Sequence, residues 1–173
     1  MKKLLGILVL GLLFGISANA QPSSEYLGND EWLVKYSSNC TYKGALKGIG
    51  KKKGLFKTKQ TGIQHGYGIF DCDGGVAEGQ FLNGKKHGQG TYVWNNGDRY
   101  IGEYKEDIRT GQGTLIWKDG EKYVGQFLNG KKHGQGTYFW NNGDRYIGGW
   151  RNDNRYGKGT YIYSNGRTET KYY

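Results

Sequence analysis

Three histidines, a column of carboxylates beside basic residues, a lysine-rich segment and two cysteines are the side chains here with the means to do chemistry. His65, His87 and His133 carry the imidazole that zinc accepts as a ligand. His87 and His133, however, hold the same slot of a repeated sequence, two repeats apart. With two strands per repeat at about 4.8 Å each they stand about 19 Å apart, whereas all ligands of one zinc lie about 2 Å from it. They are expected to be turn residues that pack on the next unit. Asp98, Glu121 and Asp144 recur at about 10 Å, beyond the usual spacing of paired carboxylates in glycosidases. Arg99, Lys122 and Arg145 stand beside them, so a solvated charge ladder at the turns accounts for them better. No Ser or Cys sits in a nucleophile elbow or beside a His, and the many Gly-x-Gly pairs read as strand glycines rather than phosphate cradles. The chain is therefore read as non-catalytic, with no metal, no cofactor and no small-molecule substrate.

Charge is unevenly distributed. From Trp32 to Phe70 there are eight lysines (Lys35, Lys43, Lys47, Lys51, Lys52, Lys53, Lys57 and Lys59) and no acid. Elsewhere, Lys2 and Lys3 aside, 15 basic residues balance the 15 acidic ones. Lys47, Lys51, Lys52, Lys53, Lys57 and Lys59, with Leu55-Phe56 among them, suit an anionic membrane surface, where each Lys contributes about 1 kcal/mol. A solubilising loop is the plainer alternative. At the N-terminus, Lys2-Lys3, an apolar run from Leu4 to Ile16 and Ala18-Asn19-Ala20 make a secretory signal of bacterial type over residues 1–20. The run is shorter than the ~20 residues a spanning helix needs. The expected location is periplasmic or extracellular after cleavage following Ala20, peripheral at a membrane if the lysines bind one. Nucleic acid is a poor target for an exported protein.

The elements that must carry these residues are strands. The 173 residues include 32 Gly, 15 Tyr, 6 Phe and 5 Trp but one Pro. That composition excludes collagen, is too aromatic for disorder and disfavours helix. Glycines recur every 23 residues in four columns: Gly79, Gly102, Gly125 and Gly148; Gly88, Gly111, Gly134 and Gly157; Gly90, Gly113, Gly136 and Gly159; Gly97, Gly120, Gly143 and Gly166. They mark four units, 77–99, 100–122, 123–145 and 146–168. Within the second, Tyr100 to Tyr104 alternates as one strand, Lys105–Thr110 reads as a polar turn, and Gly111 to Trp117 returns. One hairpin is marginal in water, so the units must stack into a single continuous antiparallel sheet. Glycine lets a neighbouring ring lie against the backbone and lets the sheet bend.

Two aromatic columns follow from the period: Phe81, Tyr104, Phe127 and Trp150, and Trp94, Trp117, Trp140 and Tyr163. An aromatic stripe at a structural period is usually packing, and a single layer has little else to bury. The functional alternative is an exposed groove that stacks on sugar rings, making the protein a glycan or cell-wall binding module.

These units resemble the MORN repeat, in which a Tyr-x-Gly-x-aromatic strand, a charged turn and a Gly-x-Gly-x-aromatic strand succeed one another. The signature stands as Tyr100-Ile101-Gly102-Glu103-Tyr104 with Gly111-Gln112-Gly113-Thr114, and as Tyr123-Val124-Gly125-Gln126-Phe127 with His133-Gly134-Gln135-Gly136-Thr137-Tyr138. The resemblance implies an elongated all-β, single-layer sheet of stacked hairpins and an interaction or scaffold protein that binds a protein partner or acidic phospholipid. A degenerate unit, 40–76, keeps Tyr42-Lys43-Gly44 and Gly66-Tyr67-Gly68-Ile69-Phe70 around the basic insertion. Cys40 and Cys72 bracket it and, in an exported chain, are expected to form a disulfide. Residues 21–39 would be an N-terminal cap or linker, and 169–173 a C-terminal capping strand.

Overall fold

The structure is a computed structural model and describes residues 23–28, 31–37, 39–47 and 63–173. The segment read as a signal, Lys51, Lys52, Lys53, Lys57 and Lys59, and the side chain of Lys47 lie outside the described residues. Thirteen strands follow one another: β1 (Ser23–Gly28), β2 (Glu31–Ser37), β3 (Cys40–Lys47), β4 (Ile63–Cys72), β5 (Gly75–Leu82), β6 (Lys85–Trp94), β7 (Arg99–Lys105), β8 (Ile108–Ile116), β9 (Lys122–Leu128), β10 (Lys131–Phe139), β11 (Arg145–Arg151), β12 (Asn154–Ile162) and β13 (Thr168–Tyr172). They form one sheet in chain order, every neighbour antiparallel. The cap or linker expected over 21–39 enters this sheet as β1 and β2, with Tyr26 opposite Trp32 and Val34 opposite Tyr42. Trp32, Val34 and Tyr36 alternate with Leu33 and Lys35 as a strand requires, but no glycine column marks the segment, so a search for repeats passes over it.

The hairpin tips are tighter than the six-residue polar turn read from Lys105 to Thr110. Lys105 pairs with Ile108, which leaves only Glu106 and Asp107 in the turn, with φ 51° and 70°. Two successive positive φ values define a type I′ turn, whose twist matches the strands. Asn83-Gly84, Asn129-Gly130 and Asn152-Asp153 repeat the same turn at the equivalent tips. Asn-Gly between alternating segments is the strongest short-range hairpin signal, and it stands in the sequence at two of the four tips.

Each unit then bends at a bulge. Gly102 faces Gly113 and Glu103 faces Thr110, so Gly111 and Gln112 are extra on the second strand. Gly111 has φ +56°, and the Glu103 carboxylate accepts the Gln112 N–H at 3.0 Å across the bulge. This explains the second glycine column: a bulge of this kind needs a left-handed residue, and it bends the strand and increases its twist.

One face of the sheet is the core. Tyr42, Tyr100, Tyr123 and Tyr146 have no exposed surface. Each hydroxyl donates to a carbonyl three residues on, in Ala45, Glu103, Gln126 and Gly149, at 3.0 to 3.2 Å. Burial of a phenol is tolerated because its one strong donor is satisfied. The rings lie on the paired glycines: a Cβ at Gly113 would stand 2.5 Å from Tyr100 Oη, and one at Gly125 2.6 Å from Tyr123 Oη. The first unit has Ala77 in the tyrosine slot, and there the core divides into two clusters, one around Tyr42 and Phe81, the other from Tyr100 to Trp150.

Both ends of the hairpins are stapled to the next unit. At the tips, Asp107 N–H donates to Lys86 O and Asp153 N–H to Lys132 O, each at 3.0 Å, and the same aspartates accept from the lysines' backbone N–H. At the turns, Asp98 accepts from Lys118 N–H at 2.9 Å and Asp144 from Ser164 N–H at 2.8 Å. A disulfide joins Cys40 to Cys72, 32 residues apart with Cα atoms 4.2 Å apart, and so ties β3 to β4 around the basic insertion. Closing a loop of that size stabilises by about 3 to 4 kcal/mol in the chain-entropy account.

Gly113→Ala drives a methyl into the Tyr100 ring and is expected to cost about 1 to 3 kcal/mol, the scale of overpacking. Gly90→Ala, whose Cβ would meet nothing nearer than Glu78 O at 3.2 Å, costs clearly less. Urea unfolding of the two variants measures the difference, and equal losses would remove the ring-on-glycine account.

Candidate interaction face

The two aromatic columns lie on the same face of the sheet at different depths. Phe81, Tyr104, Phe127 and Trp150 are only 3 to 6 % exposed and belong to the core. Trp94, Trp117 and Trp140 are half-buried against it, together with Tyr92, Leu115, Tyr138 and Tyr161. Alternation places these residues inward, since Tyr138 and Trp140 follow Gly136 at period two on β10 and the turn behind it.

The half-buried rings make a ribbon along the stacking direction. Trp117 meets Tyr138 at 5.2 Å, Tyr138 meets Trp140 at 4.9 Å, Trp140 stacks on Tyr161 at 5.8 Å and 15°, and Tyr161 stacks on Tyr163 at 6.2 Å and 18°. Ring faces are thus largely turned toward other rings. Such contacts add about 0.5 to 1.5 kcal/mol each beyond the area they bury.

A column absent from the sequence reading joins them. Lys86, Arg109, Lys132 and Arg155 recur at the same 23-residue period, and all four lie over inner-face rings. Lys132 Nζ stands 4.5 Å from the Trp150 centroid and 5.3 Å from Tyr138. Arg155 lies 5.3 Å from Trp140, Tyr146 and Tyr161 alike, and Arg109 5.5 Å from Tyr100 and Phe127 while donating to Gly130 O at 2.7 Å. Burial holds Lys86 and Lys132 below the ordinary lysine range, with Asp107 and Asp153 partly offsetting it. The signal was available: four cations in one column beside aromatics suit cation–π packing, worth up to about 2 kcal/mol when desolvated.

The carboxylates read as a solvated ladder are bound into the structure instead. Asp98 and Asp144 are half-buried and make the turn staples described above, each also accepting from an Asn side chain at 2.9 Å. Glu121 accepts the Tyr138 hydroxyl and Glu169 the Tyr163 hydroxyl, the latter at 2.6 Å. The ribbon thus lies between a cation column toward the tips and a carboxylate column at the turns. His65, His87 and His133 sit in strands β4, β6 and β10 beside the bulges, not in the turns expected. His65 and His87 share one shallow pocket with Tyr67 and Phe81. Among the described residues no three His, Cys, Asp or Glu side chains gather as metal ligands would.

Stacked hairpins with their organised surface on one sheet face define a β-hairpin repeat protein. Residues 62–76, 78–99, 100–122, 123–145 and 146–166 match the MORN repeat family, more than half of the chain, and the protein belongs to that family. In the degenerate unit the match covers only the second strand. No curated protein matches the sequence. Among solved structures, the SAS-4 (dCPAP) TCP domain of Drosophila melanogaster, in complex with a proline-rich motif of Ana2 (dSTIL), is similar over 95 % of this chain and 99 % of that one, at 10 % identity and a TM-score of 0.38.

The core tyrosines give the fold an alkaline limit. Burial raises Tyr42 and Tyr100 from 10.0 to about 12, and pushes Tyr104 and Tyr123 up further. Unfolded tyrosines release protons that the folded chain keeps, so this stability is whole below pH 10 and is lost as pH rises toward about 12. Lys86 and Lys132 carry the opposite sign: their burial cost is relieved as they neutralise, but they are two against a whole column of phenols. Tyrosinate absorbance and near-UV circular dichroism should therefore change together above pH 10. Ionisation of the buried tyrosines with the dichroism intact would contradict this.

Proposed function

We propose that the protein is an exported, non-catalytic interaction or scaffold protein that holds a protein partner against its aromatic ribbon. MORN repeats are generally interaction or membrane-binding modules. The observation that carries the reading is the half-buried ribbon from Trp117 to Tyr163 set between a column of cations and a column of carboxylates. Aromatic residues and Arg are the groups that dominate protein interfaces, and a polar rim on both sides orients a chain laid between them. Sugar recognition by the same columns is less well supported, because stacking on a sugar needs a free ring face and here Trp140, Tyr161 and Tyr163 cover one another. Export is inferred from Lys2-Lys3, the apolar run from Leu4 to Ile16 and Ala18-Asn19-Ala20.

Affinity capture from the producing cell's envelope fraction tests this with the parent and a Trp117→Leu/Trp140→Leu variant that keeps apolar bulk. The parent should retain a defined protein that the variant releases, with both folded by far-UV dichroism. Equal capture by both, or retention of the parent on chitin or peptidoglycan instead, would count against the reading.

A second reading, an anionic membrane surface, is favoured by the eight lysines between Trp32 and Phe70 that no acid offsets. Exposed lysines act over about a Debye length, ~8 Å at physiological salt, so vesicle binding should weaken as salt rises. Replacing Lys47, Lys51, Lys52, Lys53, Lys57 and Lys59 by Gln should abolish co-sedimentation with phosphatidylglycerol vesicles without unfolding the repeats. Undiminished sedimentation of that variant, or none by the parent at low salt, would end the membrane reading.

A further inference from the structure

Among the described residues nothing is layered on the opposite face of the sheet, and its residues are in register. Directly opposed pairs run Arg99 to Ile116, Ile116 to Lys122, Lys122 to Phe139 and Phe139 to Arg145, one residue per strand from β7 to β11. The row alternates cation and apolar group. Arg99 and Arg145 are exposed, and Lys122 lies 4.5 Å over the Phe139 ring. The row beside it is Ile101, Thr114, Val124, Thr137 and Ile147, uncharged throughout. The charge balance of the repeats conceals this arrangement, because many of the acids stand at the ends of the hairpins. Glu106, Asp107 and Asp153 are at the tips, and Asp98 and Asp144 are engaged in turn staples. None of the three row cations is ion-paired within the described residues, where Lys85, Lys86 and Lys171 hold the bridges.

We propose that this outer face binds an extended acidic polysaccharide carrying one charge per disaccharide, laid across the strands. Charge complementarity demands an anion, and the pitch selects its kind. Two strands separate Arg99 from Lys122 and Lys122 from Arg145, so the charges recur about every 10 Å. Two pyranose rings joined end to end cover a comparable length, which sets one acidic group at each cation and the intervening ring in apolar contact with Ile116 or Phe139, without ring stacking, since Lys122 already lies over the Phe139 face. A second copy of this chain does not fit, because a symmetric face-to-face pair sets one cationic row against another. Duplex nucleic acid carries a charge every ~1.7 Å of axis and leaves most phosphates unmatched. A planar bilayer fits poorly as well, since strands twist by about 20 to 25° each and a row crossing four intervals turns through roughly 80° or more. A flexible chain follows that course.

Calorimetric titration of the full chain with hyaluronan oligosaccharides, which carry one carboxylate per disaccharide, tests the proposal. Hyaluronan should bind, more weakly as salt rises, and neutral chitin oligosaccharides should not. R99Q/K122Q/R145Q should weaken hyaluronan binding about tenfold, the scale of three exposed ion pairs acting together. The Trp117→Leu/Trp140→Leu variant should bind as the parent does, which separates this face from the aromatic ribbon. Unchanged affinity in the triple variant, equal binding of the neutral oligosaccharide, no binding at low salt, or loss only when the lysines between 51 and 59 are replaced would each overturn it. Phosphatidylglycerol vesicles binding through the same three residues would assign the face to a lipid surface instead.

Discussion

A sheet on which the described residues place no second layer must cover its own apolar face, and the packing of tyrosine rings on paired glycines is how this chain does so. Tyr100 is fully buried because the hydroxyl end of its ring lies against Gly102 and Gly113, where no Cβ stands in its way, while Tyr104, Phe127 and Arg109 close around it. The same arrangement recurs at Tyr123 and Tyr146. Ring and glycine are interdependent: a side chain at the glycine displaces the ring, and without the ring the glycine contributes only backbone entropy to the unfolded state. The hydroxyl bond to the carbonyl three residues on then sets the ring's position along the strand.

The remainder follows from that constraint. Since most large rings occupy one face, the outer face is left mainly to β-branched residues and long polar ones, with Phe139 an exception, and the two faces become chemically distinct. Since each ring must touch the next unit's ring, the units must stay in register, and the aspartate staples at tips and turns hold them there at both ends. Lys86, Arg109, Lys132 and Arg155 complete the layer by laying aliphatic stems and charged heads over rings, a use of cations that lets a thin protein bury aromatic surface without a second sheet.

Much of this was written in the sequence because a repeat shows each constraint several times. The 23-residue period, the alternation around Tyr100 and Gly102, and the paired glycines together specify hairpins, their order and which residues face inward. Where the period is weak, the sequence says less: β1 and β2 lack the glycine columns, and Ala77 gives no sign that the core divides beside it. The cation column stood at the same period as the glycines, yet Lys and Arg at a strand end look like surface residues until a ring is found beneath them.

Local composition thus determined the strands, the type I′ tips at Asn83-Gly84 and Asn129-Gly130, and the close approach at the glycines, since each depends on a residue's own backbone freedom or on a neighbour at fixed spacing. Only the assembled sheet decided the depth of each aromatic column, the capture of Asp98 and Asp144 by the next turn's backbone, and the union of Arg99, Lys122 and Arg145 in a single row. These depend on register between strands about 20 residues apart, and one residue of slip would carry every side chain to the other face.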